Sequence, residues 1–264
     1  MSATFEFLQT AWEKNPFDSD LAKANSSYAA FDGKDLVRLL ETARPTTFER
    51  VAHASFREFI SDPMFSCLGA KSAIATGTYR FGTYQKLNDF ASTAGLARDL
   101  FAFVSERRGF ESLFTTYVAV FAGVESGPDP DLAFERVLWE QLRVLRELDR
   151  PIHAWDPRVC ANPDDPNFSY SFATTGFFVV GLHPDSTRAA RRFAWPTLVF
   201  NAHEQFQELK ARGQFARLQE RIRSREIDLD GSLNPNLADF GDHSEARQYA
   251  GRPLPAGWKC PFRA

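Results

Sequence analysis

The sequence predicts a single α+β domain over residues 1–264, with a mixed or mostly antiparallel sheet covered by helices. Three observations carry that prediction. Several segments repeat apolar residues at helical spacing, and the stretch from Leu132 to Leu148 does so most clearly. SLFTTYVAVFAG, FSYSFATTGFFVVGLHP and WPTLVF are rich in aromatic and β-branched residues, which marks strands. The alternation of strands and helices between them is too irregular for a doubly wound parallel sheet.

Residues 1–60 read as an N-terminal helical segment in several pieces. Phe5, Leu8 and Trp12 share one helical face, and Leu36, Leu39 and Leu40 repeat the pattern before Pro45 stops it. TTFERVAHASFREFIS is a third helix with Thr47 as its cap, carrying His53 as a structural histidine. Residues 61–225 then form the α/β core. MFSCLGAKSAIATGTYRFGTYQKL reads as two short strands, or a strand and an irregular segment, because glycine, threonine and aromatics dominate it. A helix from about Asn88 to Arg108 follows, then the strand SLFTTYVAVFAG.

Pro128 and Pro130 introduce the helix from Leu132 to Leu148, with Asp129 or Asp131 able to cap its free amides and Pro151 closing it. HAWDPRVCANPDDPN is a loop, and FSYSFATTGFFVVGLHP is a long strand or hairpin in which Gly176 marks a bulge or bend. From WPTLVF the chain enters a helix that runs to about Ser224, with Asn201 as its candidate cap. Residues 226–264 lack periodicity but carry Leu, Phe, Tyr and Trp anchors, so they read as an irregular C-terminal wrap that is ordered over the domain.

The 31 basic and 34 acidic residues leave a formal net charge of −3, which argues against a nucleic-acid partner. No apolar run is long enough to span a bilayer, and the N-terminus lacks the form of a signal peptide. Cys67, Cys160 and Cys260 are odd in number and lack CxxC spacing, so neither a disulfide framework nor a zinc knot is expected, and the expected compartment is the cytoplasm. The 26 phenylalanines are enough to fill a core and also to line a slot for a flat apolar ligand.

Two strand-end loops hold the densest polar chemistry. In GLHPDSTRAARRF, His183 stands where a strand stops, and Arg188, Arg191 and Arg192 follow it. Imidazole there can ligate a metal, move a proton or only hydrogen-bond, and the arginines can pair with carboxylates or phosphates. In LVFNAHEQFQEL, His203 and Glu204 sit at a strand-to-helix junction, but Gln207 occupies the place where a zinc protease needs its second histidine. Cys67 is a candidate nucleophile, a soft ligand or a packing residue, and no nucleophile elbow, phosphate loop or dinucleotide fingerprint is present.

The combination of MFSCLGA, GLHPDSTRAARRFAWPTLVFNAHEQFQEL, and RIRSREIDLDGSLNPNLADFGDHSEARQYAGR followed by WKCPF resembles the YqcI/YcgG family. Ser66 replaces the proline usual before the cysteine, and Ser186-Thr187 replaces a Ser-Ser. Members of known chemistry are haem-dependent guanidino N-hydroxylases, such as the L-arginine hydroxylase of D-cycloserine biosynthesis. The resemblance implies non-covalent haem b, since no C-x-x-C-H site is present. It also implies dioxygen or peroxide as oxidant, an electron donor, and a small polar guanidino or amino metabolite as substrate; a homodimer is an assembly it allows.

On this reading His183 is the first choice of iron ligand, His203 the second, and Cys67 and Cys260 are thiolate alternatives. Arg188, Arg191 and Arg192 would meet the propionates, and Phe177, Phe178 and Phe193 would supply the slot. Glu204, Asp239, Glu245 and Asp242 are carboxylates able to grip a guanidinium, with Asn234 and Tyr249 orienting substrate or oxygen. A haem-binding protein without catalysis, or a haem-free hydrolase or transferase using Cys67 with a histidine, are the competing expectations.

Overall fold

The strand Thr116–Gly123 (β4) is buried on both faces through Phe121, the pattern of a central strand, and the whole architecture is arranged about it. The computed structural model describes residues 15–236, 243–255 and 257–264. In chain order these contain α1 (Asp20–Ala24), β1 (Ala29–Phe31), β2 (Leu36–Arg38), α2 (Thr47–Ser61), α3 (Leu68–Thr76), β3 (Tyr79–Lys86), α4 (Phe90–Glu106), β4, α5 (Pro130–Asp149), β5 (Tyr170–Phe172), β6 (Thr175–Leu182), β7 (Thr197–Ala202), α6 (Glu204–Ala211) and α7 (Phe215–Asp230). The strands form one seven-stranded sheet in the order β2-β1-β3-β4-β7-β6-β5. Only β3 and β4, joined through α4, run parallel; the other neighbours are antiparallel. The fold is therefore α+β with a mixed sheet, as the sequence predicts.

The two faces of the sheet have separate cores. On one, Tyr117, Ala119 and Phe121 of β4 meet Leu96, Leu100 and Phe103 of α4, while the α5 stripe Phe134, Leu138, Leu142 and Leu145 joins the same cluster as Phe177 and Val179 of β6. On the other, Val118 and Val120 pack in one cluster with Phe56 of α2, Ala73 of α3 and Leu182 of β6. Polar groups are satisfied inside these layers: Asp99 of α4 accepts bonds from Ser26, the Ser27 amide and Tyr84.

The short β5 covers only the first part of β6. Beyond it the C-terminal segment takes over that edge, with the Gly181 amide donating to the Tyr249 carbonyl at 2.7 Å. Tyr249, Cys260 and Phe262 are buried, so the described part of the tail is an ordered wrap. No helix of the described residues is long and apolar enough to cross a membrane.

Several local expectations are corrected. Leu36 lies not in a helix but in a β1–β2 hairpin that extends the sheet into the N-terminal segment. Asp32 sets that turn by accepting the amides of Lys34 and Asp35, and Gly33 supplies a φ of +102°. Thr46 rather than Thr47 caps α2, in a capping box with Glu49. Leu68–Thr76, read as part of two short strands or of a strand and an irregular segment, is helix α3: Cys67 caps its start and Gly77 ends it. The β5–β6 hairpin turns at Ala173 and Thr174, both at positive φ, while Gly176 stays in register opposite Ser171. The helix after β7 is broken at Gly213, whose left-handed φ of +66° separates α6 from α7, and α7 runs on to Asp230. The helix expected around Phe5, Leu8 and Trp12 lies outside the described residues.

Candidate functional site

On the α2–α3 side of the sheet, toward its β7–β6 end, the layers do not close. A partly open cavity of about 270 Å³ remains there. Its floor is the sheet, through Thr116, Asn201, Val180 and Phe178; Cys67, Gly69, Ala70 and Ala73 bring in α3; α6 and α7 roof it with Phe206, Phe215, Leu218 and Ile222; and His243, Glu245 and Gln248 close one side. Phe215, Leu218 and Ile222 of α7 line this cavity, and Glu226 is the one buried residue of that helix. A concave, mainly apolar pocket with a few convergent polar groups is the form of a small-molecule site.

One polar wall holds a hydrogen-bonded line. His203 follows the last residue of β7 and is 5% exposed, with Nδ1 2.8 Å from Ser169 Oγ and Nε2 2.7 Å from Gln207 Nε2. Ser169 Oγ also donates to Glu245 Oε1 at 2.7 Å. Tyr249 Oη lies at 2.7 Å from the same oxygen and at 2.8 Å from the Phe177 carbonyl, and it accepts the Tyr170 amide at 3.1 Å. Burial pushes the Glu245 carboxyl up to about 8, against the pull of Ser169, Tyr249 and the Lys210 charge. Burial likewise lowers His203 to about 4, so its imidazole is neutral at pH 7.

The opposite wall holds Cys67. It is the N-cap of α3, and its Sγ accepts the Ala70 amide at 3.5 Å. Burial raises the thiol, while the amides of Ala70 and Gly69 and the Arg191 charge favour its thiolate.

Most of the other sequence candidates lie elsewhere. His183 is 2% exposed and stacks on Phe134 with ring centroids 4.4 Å apart. Its Nε2 stands 3.0 Å from Asp131 Oδ1 at the start of α5, on the far side of the sheet from the cavity. Burial lowers its pKa, and Asp131 opposes that shift.

The arginines that follow His183 serve the fold. Arg188 bonds Glu226 at 2.9 Å and Ser232 at 3.0 Å and lies 3.4 Å from Asp230, tying down the end of α7. Arg191 donates to the carbonyls of Gly181 and Gln248, and burial lowers its pKa to about 10. Arg192 bonds the Ser186 and Thr187 carbonyls. Asn234 accepts the Asn236 amide at 2.9 Å within the tail. Phe177 and Phe193 lie in the two cores, while Phe178 reaches the cavity.

Burial disfavours the charge on Glu204, but Arg107 and Arg158 hold its carboxyl below the usual range by bonding it from two sides. Asn201 does not cap α6; its amide donates to the Phe178 carbonyl at 3.3 Å. Cys260 is fully buried, and burial pushes its thiol up to about 12. Asp239 and Asp242 lie outside the described residues.

Of the sequence candidates, Cys67, Phe178, His203 and Glu245 thus share one cavity, with Tyr249 bonded to Glu245. Sequence reasoning missed Ser169, Gln207, His243 and Arg223. Ser169 carries no signal in FSYSF, where any serine reads as a strand residue. Among the described residues, no group of three or more His, Cys, Asp and Glu is placed to hold a metal ion by itself.

The YqcI/YcgG family model matches residues 56–263, a span that contains every residue of the cavity. No curated protein matches the chain, and no solved structure does.

Proposed function

The chain belongs to the YqcI/YcgG family, and from that premise we propose that it is a haem-dependent N-hydroxylase acting in this cavity on a small guanidino or amino compound. The observation that carries the reading is Cys67. A thiolate ligand to haem iron needs donors to its sulfur, nearby positive charge and an apolar slot beside it. Cys67 has the Ala70 amide, the Arg191 charge and a cavity walled by Phe114, Phe178, Phe206, Phe215, Leu218 and Ile222. These residues suit the group. His183 does not, because its Nε2 faces Asp131 and its ring is sealed against Phe134.

Bound haem supplies the activation of dioxygen or peroxide that oxygen transfer to nitrogen requires. The chain's own residues do the rest. Cys67 holds the group from the start of α3, and the aromatic and aliphatic side chains of α6 and α7 exclude water. Arg223 of α7, on the lining, is suited to a propionate. The His203–Ser169–Glu245 wall presents polar atoms to the substrate. A thiol–histidine hydrolase is less well supported, since both ring nitrogens of His203 already face Ser169 and Gln207.

The test is expression with haem supplied, a pyridine haemochrome assay, and product analysis by mass spectrometry with L-arginine and related amines. The oxidant is dioxygen with a reductant, or peroxide. A near-stoichiometric haem and a product one oxygen heavier are expected. Haem without product would make the chain a binding protein, and a folded chain that neither retains nor takes up haem would remove the reading.

A further inference from the structure

The carboxyl of Glu245 is held asymmetrically. Oε1 accepts Ser169 Oγ and faces Tyr249 Oη, each at 2.7 Å. Ser169 occupies one lone pair of Oε1, and the single Tyr249 hydroxyl hydrogen lies between Oε1 and the Phe177 carbonyl. Oε2 has no hydrogen-bond partner among the described residues, and Glu245 lines the cavity. The two-pronged grip on a guanidinium expected from the sequence would require Ser169 or Tyr249 to let go.

The direction of the bonds is set from the far end. The Gln207 amide nitrogen donates to His203 Nε2, which leaves the ring hydrogen on Nδ1. Nδ1 then donates to Ser169 Oγ, and Ser169 gives its own hydrogen to Glu245 Oε1. Every group in this line therefore donates toward Oε1, and an acid hydrogen on Glu245 belongs on Oε2.

Resting on the reading of the cavity as the reaction site, we propose that Glu245 is its proton donor, a carboxylic acid that offers the hydrogen on Oε2 to an oxygen or nitrogen lone pair of the bound molecule. In the transfer the Oε2–H bond breaks and an O–H or N–H bond forms on the acceptor, whose charge rises by one. The electron pair stays on Glu245, whose carboxylate is met at Oε1 by Ser169 and Tyr249. Solvent at the open side of the cavity returns the proton. The pKa of about 8 agrees with this geometry: burial dominates it, and Lys210 of α6 opposes it from across the wall, with His243 and Arg223 also on the lining. The accepting atom is one that carries a free lone pair, such as a carboxylate oxygen or an amine of the bound molecule, and not a protonated guanidinium nitrogen.

Infrared difference spectroscopy of the full chain, titrated from pH 5 to 10, tests the protonation directly. A protonated-carboxyl band present at pH 7, lost through about pH 8 and missing in Glu245→Gln, is expected. Ser169→Ala should move its midpoint upward, because one donor to the carboxylate is gone. Should Glu245→Gln fail to fold, Tyr249→Phe supplies the same upward shift. A Glu245 carboxyl already ionised at pH 6 would overturn the proposal. In the haem-loaded protein Glu245→Gln should lower kcat by about 10²- to 10⁴-fold, as expected for loss of a general acid. An unchanged kcat would overturn it as well. The infrared result stands whether or not haem binds, so failure of the haem reading and failure of this assignment are distinguishable.

Discussion

Tyr249 Oη lies 2.7 Å from Oε1 of Glu245, one helical turn earlier in the C-terminal segment. The same hydroxyl serves the Tyr170 amide and the Phe177 carbonyl, so one side chain fastens the tail to both strands of the β5–β6 hairpin. Tyr249→Phe removes the bonds that this buried hydroxyl makes and should cost about 1–3 kcal/mol. Urea unfolding monitored by circular dichroism checks this; an unchanged midpoint would show that the bonds are dispensable.

His183→Ala should leave cofactor binding and its spectrum unaltered while lowering stability by about 1–3 kcal/mol. The ring is stacked on Phe134 and its Nε2 faces Asp131, so its loss opens a gap beside α5 and strips a half-buried carboxylate of its neighbour. Absorbance spectra and thermal melts on the same preparation separate the two effects. A lost or shifted cofactor spectrum at unchanged stability would return His183 to the role of ligand.

The contrast between His183 and Cys67 shows how much of the site was legible in the sequence. Strand ends were readable from β-branched runs, and His183 stands at one, but a strand end has two sides. Which side a residue faces depends on register: odd positions of β6, such as Phe177 and Val179, turn toward α5, whereas Phe178 and Val180 turn toward the cavity. Position 183 falls in the first set.

Cys67 was visible only as a lone thiol because its helix was masked by glycine and threonine; the cap at Cys67 and the stop at Gly77 frame α3. The β1–β2 hairpin was hidden by three leucines at helical spacing, a pattern overridden by the Asp32–Gly33 turn. The long helices α4 and α5 and the strand β4 were legible because their apolar pattern is continuous and their ends carry caps and prolines. Pairings across 76 residues, such as Ser169 with Glu245, leave no local pattern to read.

Protonation of Glu245 predicts the sign of one pH effect. Its folded pKa of about 8 lies above its ordinary value of 4.5, so the unfolded chain gives up this proton first. The stability linked to it is complete below about pH 4.5 and is lost as pH rises through about 8. The stability difference between the wild type and Glu245→Gln should therefore shift against the wild type over that window, by up to about 1.4 kcal/mol per pH unit. Chemical denaturation of both proteins at pH 5, 7 and 8.5 measures it. A difference that does not change with pH would mean that the carboxyl is ionised in the folded state.

Gly181 marks the place where the tail meets the sheet. A Cβ there would stand 2.7 Å from Leu138 Cδ1 and Phe134 Cε1 and 2.9 Å from the Tyr249 carbonyl. Gly181→Ala should cost about 1–3 kcal/mol through overpacking and should loosen the segment carrying Glu245 and Tyr249. Hydrogen exchange at residues 243–249 is the readout; protection equal to wild type would contradict this docking of the tail.

We propose that Cys67, at the start of α3, holds haem in the cavity beneath α6 and α7. The most direct measurement is the absorbance spectrum of the ferrous carbon monoxide complex, recorded for the wild type and Cys67→Ala after haem reconstitution, with circular dichroism as the control for folding. A thiolate-type Soret position is expected in the wild type, and its loss, with weakened haem retention, in folded Cys67→Ala. A wild-type spectrum of imidazole type that survives unchanged in Cys67→Ala would contradict it.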